Sequence, residues 1–138
     1  MANIRAPELP ENFTWINCHR PLSIKSLRGR IVILDFWTKG CINCLHVIPD
    51  LKYLKHKYSD YLSIIGVHSA KFEQEQHPDS VKLAVWRYEI THPVIVDSDR
   101  YIWEQYVVRA WPNPVVLPPT GMNYLLQIVK QVLSMQLP

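Results

Sequence analysis

The sequence predicts one α/β domain, and three observations indicate that fold class. With 138 residues, the chain has the length of a single domain, enough to bury a core without disulfides or metals. Its composition, 48% hydrophobic and 20% charged, is close to the globular average and excludes a disordered or fibrous protein. Segments typical of buried strands alternate with segments of helical periodicity, which predicts a mainly parallel sheet covered by helices.

The first half of the chain contains three predicted strands and one long helix. A short strand is expected at Phe13–Asn17, and the nearly continuous apolar runs Ile31–Trp37 and Leu62–His68 are typical of strands buried on both faces. Between these two runs, apolar residues recur every three or four positions and predict a helix from about Ile42 to Lys57. Pro49 lies inside that helix and is expected to kink it.

The second half continues this alternation of helices and strands. Helical spacing begins at Pro78, since a first helical turn tolerates proline, and ends near Ile90. A further buried strand is expected at Pro93–Asp97, then a short helix at Asp99–Tyr106 capped by Ser98 or Asp99. Three tryptophans are assigned to the core: Trp15, Trp86 and Trp103.

The two ends of the predicted domain, which spans residues 1–138, are less regular. Residues 1–12 are expected to be loosely ordered. Prolines crowd the region of the last predicted strand, Val115–Leu117, and Pro114 is tolerated only if that strand lies at a sheet edge. Residues 122–138 form an atypical C-terminal segment with helical spacing, so the last strand and helix of the domain are expected to be shortened.

Charge and hydropathy exclude several classes of partner. The net charge is only +3 and the basic residues are scattered, so the sequence predicts no nucleic-acid binding. No apolar run approaches the roughly 18 residues that a membrane-spanning helix needs. The N-terminal residues contain no apolar region typical of a secretory signal, which predicts a cytoplasmic protein.

The segment Cys41-Ile-Asn-Cys44 carries the clearest chemical signal. It follows a predicted buried strand and begins a predicted helix, so free backbone N–H groups and the helix dipole favour the thiolate form of Cys41. Cys44, one turn later, is close enough to attack a mixed disulfide formed at Cys41. This spacing near a βαβ pattern is a known signature of thiol–disulfide exchange, which needs no cofactor.

Two other interpretations of the cysteine pair are open. The two thiols are inert if both are simply packed in the core. A zinc site is the other, with Cys41, Cys44 and His46 as ligands, although a closed site needs a further ligand and only Cys18-His19 offers one. Neither interpretation explains the position of the pair between a strand and a helix. Cys18 is interpreted as a bystander, and no metal site is predicted.

The residues around the cysteine pair resemble a known active site. Asp35 lies six residues before Cys41, Trp37 lies four before it, and Pro49 lies five after Cys44. This pattern is similar to the active-site stretch of the thioredoxin superfamily.

Other segments narrow the resemblance to one branch. Leu27–Arg30 and the insertion after the second central strand resemble the TlpA/ResA-like branch. The closest resemblance is to the thioredoxin-like domain of the NHL-repeat-containing protein family, in which a β-propeller, absent from this sequence, follows the domain. It covers roughly residues 10–121 and includes Arg20-Pro-Leu-Ser23, Pro49-Asp-Leu-Lys-Tyr53, Gly66-Val-His-Ser-Ala-Lys-Phe72 and Val108-Arg-Ala-Trp-Pro112.

The resemblance implies a thioredoxin-like fold, with a central mixed sheet flanked by helices and an insertion between the central strands. It also implies that Asp35 lies beneath Cys44 as a general base. Pro112 would be a cis-proline facing the dithiol, with Trp111 presenting its backbone to a bound substrate. Trp37 and Trp111 would wall the substrate site, and Gly40, where the family often has tryptophan, would open it.

One departure from the family affects proton transfer. The lysine that often accompanies the buried acid is replaced here by Gly66, so the relay to Asp35 is left open between water, His68 and Lys71.

The expected function is that of a thiol–disulfide oxidoreductase acting on protein or small-molecule disulfides, with a reductase or dithiol as electron donor. The alternative is a non-catalytic thioredoxin-like binding module or degenerate paralogue.

Overall fold

A computed structural model describes residues 5–121 of the chain. The elements in chain order are β1 (Trp15–Ile16), β2 (Ile31–Trp37), α1 (Ile42–Lys57), β3 (Leu62–Ser69), α2 (Pro78–Arg87), β4 (Val94–Asp97), α3 (Tyr101–Gln105) and β5 (Asn113–Leu117). Each corresponds to a predicted strand or helix, with ends that differ by a few residues. The helix expected within residues 122–138 lies outside the described residues.

The five strands form one mixed sheet in the order β1-β4-β3-β2-β5. The three central strands are parallel, whereas β1 pairs with β4 and β5 pairs with β2 in the antiparallel sense. The sheet is therefore mixed, as the resemblance implies. The insertion between β3 and β4 contains α2 and a short 3₁₀ turn at Glu73–Glu75.

Alternating side chains of the central strands point to two different cores. One face packs against α1 and α2, and its core includes Trp37, Cys44, Ile48, Val81, Val85, Val94 and Val96. The other face packs against α3, and its core includes Leu34, Phe36, Ile65, Val67, Ile95, Ile102 and Trp103. This two-sided burial explains why the central strands are nearly continuous apolar runs in the sequence.

Residues 5–12 are packed onto the domain, which corrects the expectation of loose order for the described part of residues 1–12. Ala6 and Leu9 are buried in the core on the α3 side. The Glu8 carboxylate accepts N–H groups of Ile24 and Lys25, and the Tyr106 hydroxyl donates to the carbonyl of Pro7 at 2.6 Å. These long-range contacts hold the segment in place, and no local sequence pattern indicates them.

Pro114 lies in β5 opposite Asp35 of β2. Within residues 5–121, β5 is at the edge of the sheet, as Pro114 predicts, because an edge strand does not need every N–H for pairing.

Two local expectations are wrong. The N-terminus of α3 is not capped by Ser98 or Asp99; the buried Asp97 carboxylate accepts the N–H groups of Ile102 and Trp103, each at 3.0 Å. Trp86 is not in the core but 78% exposed on the outer face of α2.

Candidate active site

Cys41 stands at the N-terminus of α1, half-buried at the point where the chain leaves β2. Its backbone is extended, and its Sγ accepts the N–H of Cys44 at 3.2 Å. This N–H belongs to the first helical turn, where no backbone carbonyl is in position to accept it. The donor stabilises negative charge on the sulfur, as expected for an attacking thiolate.

Cys44 is buried beneath Cys41 in the core between the sheet and α1. Burial raises the pKa of its thiol well above the ordinary value, and the hydrogen bond with Cys41 and the nearby carboxyl of Asp35 raise it further. Cys44 is therefore a thiol that needs a base before it can attack. Both cysteines are free thiols in this structure.

Asp35 is the acid on the sheet below the dithiol. It is 3% exposed, and its Oδ1 has no hydrogen-bond partner among the described residues. Burial raises the pKa of its carboxyl to about 7, because no bond offsets the loss of hydration of the anion. Asp35 can thus gain or lose a proton near neutral pH, as the predicted general base requires.

Glu75 is a residue of the site that the sequence analysis missed. It lies in the insertion before α2, 3% exposed. Its Oε2 accepts the Thr38 hydroxyl at 2.8 Å and the Gly40 N–H at 2.9 Å, and its Oε1 accepts the Phe72 N–H at 2.9 Å. Burial alone would raise the pKa of the Glu75 carboxyl, but these bonds lower it below its usual value. A buried anion therefore holds the loop that precedes Cys41.

At Gly40 the space for a side chain is occupied by Glu75, and the expectation that Gly40 opens the substrate site stays a prediction. A Cβ at Gly40 would lie 2.7 Å from Oε2 of Glu75. The carboxylate occupies the space that a side chain would need, and it approaches the backbone this closely because glycine has none.

Trp37 is buried. It is 1% exposed and packs in the core with Cys44, so it supports the dithiol from below, and its role as a wall of the substrate site stays a prediction. Its ring meets His68 edge to face at 4.8 Å between centroids. His68 accepts the Lys39 N–H through Nε2 at 3.0 Å. Burial lowers the pKa of His68 to about 4, so its ring is neutral at pH 7.

Trp111 and Pro112 are half-buried and joined by a cis peptide bond. The Trp111 indole donates to the carbonyl of Ser69 at 2.8 Å and packs against the ring of Trp103 with 4.1 Å between centroids. Both Trp111 and Cys41 border the core that contains Cys44. The indole is held by the domain, and binding of a substrate backbone by Trp111 stays a prediction.

Of the two side chains considered for the proton relay, neither is bonded to Asp35. His68 binds the Lys39 backbone, and exposed Lys71 has its ammonium over the ring of Phe72, 5.4 Å from the centroid. A third group, His92, was missed by the sequence analysis. A Cβ at Gly66, the neighbour of Asp35 in β3, would lie 3.2 Å from the His92 Nε2. The relay therefore stays unassigned.

Residues 5–121 are the part of the chain that the structure describes. Within that range, no three His, Cys, Asp or Glu side chains form a group that could hold a metal ion. Over the same residues, no helix is long and apolar enough to cross a membrane.

The chain is similar in sequence to several known proteins. A family model described as thioredoxin-like matches residues 29–122. NHL repeat-containing protein 2 from Homo sapiens is 48% identical over 130 residues, covering 92% of this chain but only 18% of that protein's length. Thiol-disulfide oxidoreductase YkuV from Bacillus subtilis is 28% identical over 116 residues, covering 83% of this chain and 77% of that protein.

The solved structures agree with this comparison. The solution structure of a thioredoxin-like protein in the oxidized form superimposes with a TM-score of 0.76 and 25% identity, covering 96% of this chain and 97% of that one.

Proposed function

This chain belongs to the thioredoxin-like family, and we propose that it is a thiol–disulfide oxidoreductase acting through Cys41 and Cys44. The observation that carries the proposal is the geometry of the pair. A half-buried sulfur accepts a helix N-terminal N–H at 3.2 Å, and a buried second thiol lies one turn below it, near a carboxyl with a raised pKa. Each group has a different role in one exchange reaction.

The first step belongs to Cys41. Its thiolate attacks one sulfur of a substrate disulfide, the substrate S–S bond breaks, and a mixed disulfide forms with one substrate thiolate leaving. The N–H of Cys44 and the N-terminus of α1 stabilise the charge on the attacking sulfur.

The second step belongs to Cys44 and Asp35. Asp35 in its ionised form takes the thiol proton of Cys44, and the resulting thiolate attacks the sulfur of Cys41. The mixed disulfide breaks, the second substrate thiolate leaves, and a Cys41–Cys44 disulfide remains. Two electrons have passed from the dithiol to the substrate. A pKa of about 7 suits Asp35 to this role, since at neutral pH it can both accept the proton and release it.

The surface beside Cys41 favours disulfides carried on proteins, with small-molecule disulfides as further substrates. Ile42 and Phe72 are 70% and 53% exposed. Two large apolar side chains therefore face solvent near the active-site loop. An open cleft of about 370 Å³ adjoins the loop and is lined in part by Gly40, Leu83 and Arg87. After each turnover a reductase or a small dithiol would return the Cys41–Cys44 disulfide to the thiols, in the cytoplasm as the sequence predicts.

Insulin reduction by dithiothreitol tests the proposal. We expect the wild-type protein to accelerate precipitation of the insulin chains, and Cys41→Ser and Cys44→Ser to abolish the acceleration. Cys18→Ser, which removes the third thiol outside the site, is the control and should retain full activity. Equal rates for wild type and Cys41→Ser would exclude the enzymatic function and favour a non-catalytic binding module.

Thiol trapping gives an independent measurement of the same pair. Oxidised and reduced protein should differ by two equivalents of alkylating reagent, with Cys18 modified in both forms. If oxidation lowers the incorporated reagent by two equivalents in Cys18→Ser, and by none in Cys41→Ser, the disulfide is assigned to Cys41 and Cys44.

A further inference from the structure

Glu75 is more than a packing residue, and we propose that it is a positioning residue that sets the redox equilibrium of the dithiol. It would act through the loop Thr38–Gly40, which it binds, and its negative charge would make the dithiol a stronger reductant. The inference rests on the proposed function, because it concerns the equilibrium of the same Cys41–Cys44 pair.

The bonds of Glu75 are directed at the loop. Two of its three bonds reach residues 35 and 37 positions earlier in the chain, the Gly40 N–H and the Thr38 hydroxyl. The third, from the Phe72 N–H, closes its own turn. A residue that only capped the turn would need the local bond alone. The long-range pair ties the insertion to the peptide next to Cys41.

Gly40 is the second observation that supports this role. The point where its Cβ would stand is 2.7 Å from the Oε2 of Glu75, closer than any real Cβ contact allows. The carboxylate is thus seated against the backbone of the residue that precedes Cys41. This approach depends on a glycine at position 40 and an acid at position 75.

No ion pair from residues 5–121 neutralises the charge of the Glu75 carboxylate. Its three partners are N–H and O–H donors, which keep the carboxylate ionised without cancelling its charge. His68, which binds the adjacent Lys39 N–H, is held neutral by burial. An anion beside Cys41 destabilises a thiolate there. Thiolate is present only in the reduced form, so the anion favours the disulfide.

The test is the equilibrium of the purified protein with glutathione. In this reaction the dithiol and one glutathione disulfide give the protein disulfide and two glutathione thiols, so two electrons and two protons pass to glutathione. Quenching at pH 8 with an alkylating reagent measures the protein disulfide fraction at each glutathione ratio.

Glu75→Gln removes the charge with little change of shape. We expect the equilibrium constant for protein oxidation to fall roughly 3- to 10-fold. Glu73→Gln, on the same turn but exposed, is the matched control and should stay within two-fold of wild type. The melting temperature of each reduced variant shows how much of any change is loss of stability.

Gly40→Ala tests the same contact between the Glu75 carboxylate and the loop, while Glu75 keeps its charge. The added methyl must displace the carboxylate from the loop, so the constant should fall in the same direction but by less. If Glu75→Gln does not fold, this variant carries the test alone.

Equal constants for wild type, Glu75→Gln and Gly40→Ala would overturn the inference, and a lowered melting temperature alone would then assign Glu75 a structural role. If the wild-type dithiol does not exchange with glutathione at any ratio, the proposed function itself fails, which is a different result.

Discussion

Two buried aspartates lie on opposite faces of the same sheet and have opposite surroundings. Asp97, at the end of β4 on the α3 side, accepts the Ser69 hydroxyl at 2.8 Å and two backbone N–H groups at 3.0 Å. Asp35, in β2 on the α1 side, has an Oδ1 without a partner among the described residues. Both side chains are almost fully removed from solvent.

The comparison distinguishes a carboxylate that supports the fold from one suited to chemistry. A buried anion with three donors loses little on leaving water, and its removal strands those donors. A buried acid without donors keeps a raised pKa and costs stability whenever it ionises. Desolvated titratable groups of that kind concentrate at functional sites. Asp97 therefore holds α3 to the sheet, whereas Asp35 is available for proton transfer.

The largest effect on stability is expected when Asp97, the aspartate that supports the fold, is replaced. Asp97→Ala leaves the Ile102 and Trp103 N–H groups and the Ser69 hydroxyl without an acceptor. We expect the free energy of unfolding to fall by roughly 4 kcal/mol, measured by urea denaturation at pH 7. Ser69→Ala removes one of the three bonds and should cost about 1 kcal/mol. A loss at Asp97 no larger than at Ser69 would mean that the cap of α3 is not its main role.

The opposite change, an increase in the free energy of unfolding, is expected for Asp35→Asn. The raised pKa of Asp35, about 7 against an ordinary 3.8, means that the folded state loses stability as pH rises from about 4 to 7 and keeps that full loss at higher pH. Removing the charge should raise the free energy of unfolding at pH 8 by about 3 kcal/mol, which is the roughly 4 kcal/mol of the pKa difference less the cost of burying an asparagine amide without partners. It should also slow insulin reduction by roughly 100-fold, because Cys44 loses its base. Unchanged turnover with the expected gain in stability would remove Asp35 from the mechanism.

The pH dependence of stability tests the whole α1 face at once. Burial lowers the pKa of His68 and His92 to about 4 from 6.5, so the unfolded chain binds more protons between these values and stability falls as pH falls. Asp35 acts in the opposite sense between pH 4 and 7, because its folded form binds more protons. Two histidines against one acid leave a net loss of about 1.4 kcal/mol per pH unit between pH 6 and 5.

Asp35→Asn removes the opposing group, and the slope should then approximately double. Urea unfolding at pH 5.0, 5.5 and 6.0 gives both slopes. A slope that is the same in the wild type and the variant would contradict the raised pKa of Asp35.

Most of the fold could be predicted because its signals are local. The apolar runs of β2 and β3, and the three- to four-residue spacing in α1, each report on neighbouring residues of the chain. The cysteine pair and Asp35 follow from the same stretch, so their proximity could also be expected from sequence. Pro114 likewise indicates an edge strand, since proline cannot complete a sheet ladder.

The missed residues depend on contacts between distant segments. Glu75 is one of several acids in a polar stretch, and only folding brings it to Gly40. The cap of α3 comes from Asp97 in the preceding strand rather than from the adjacent Ser98, since the buried carboxylate reaches both N–H groups. Trp86 has the residue type of a core position but lies on the outer face of α2. No local pattern distinguishes these cases.

The smallest expected effect concerns Gly66, which lies beside Asp35 in β3. A Cβ there would lie 3.1 Å from the Trp37 Nε1, 3.2 Å from the His92 Nε2 and 3.2 Å from a methyl of Val94. All three neighbours are buried and cannot all move aside. We expect Gly66→Ala to lower the free energy of unfolding by about 1 kcal/mol, because crowding outweighs the gain from replacing glycine in a strand.

A double-mutant cycle with Trp37→Phe assigns the crowding at Gly66. Phenylalanine lacks the indole N–H edge, so the cost of Gly66→Ala should shrink by about half in that background. An undiminished cost would place the crowding at His92 or Val94 instead. Because the Trp37 ring packs in the same core as Cys44, a shrinking cost would also mean that the glycine at position 66 makes room for the indole that supports the dithiol from below. Gly66 would then act by leaving space, whereas Asp97 acts through its hydrogen bonds and Asp35 through the absence of a hydrogen-bond partner at its Oδ1.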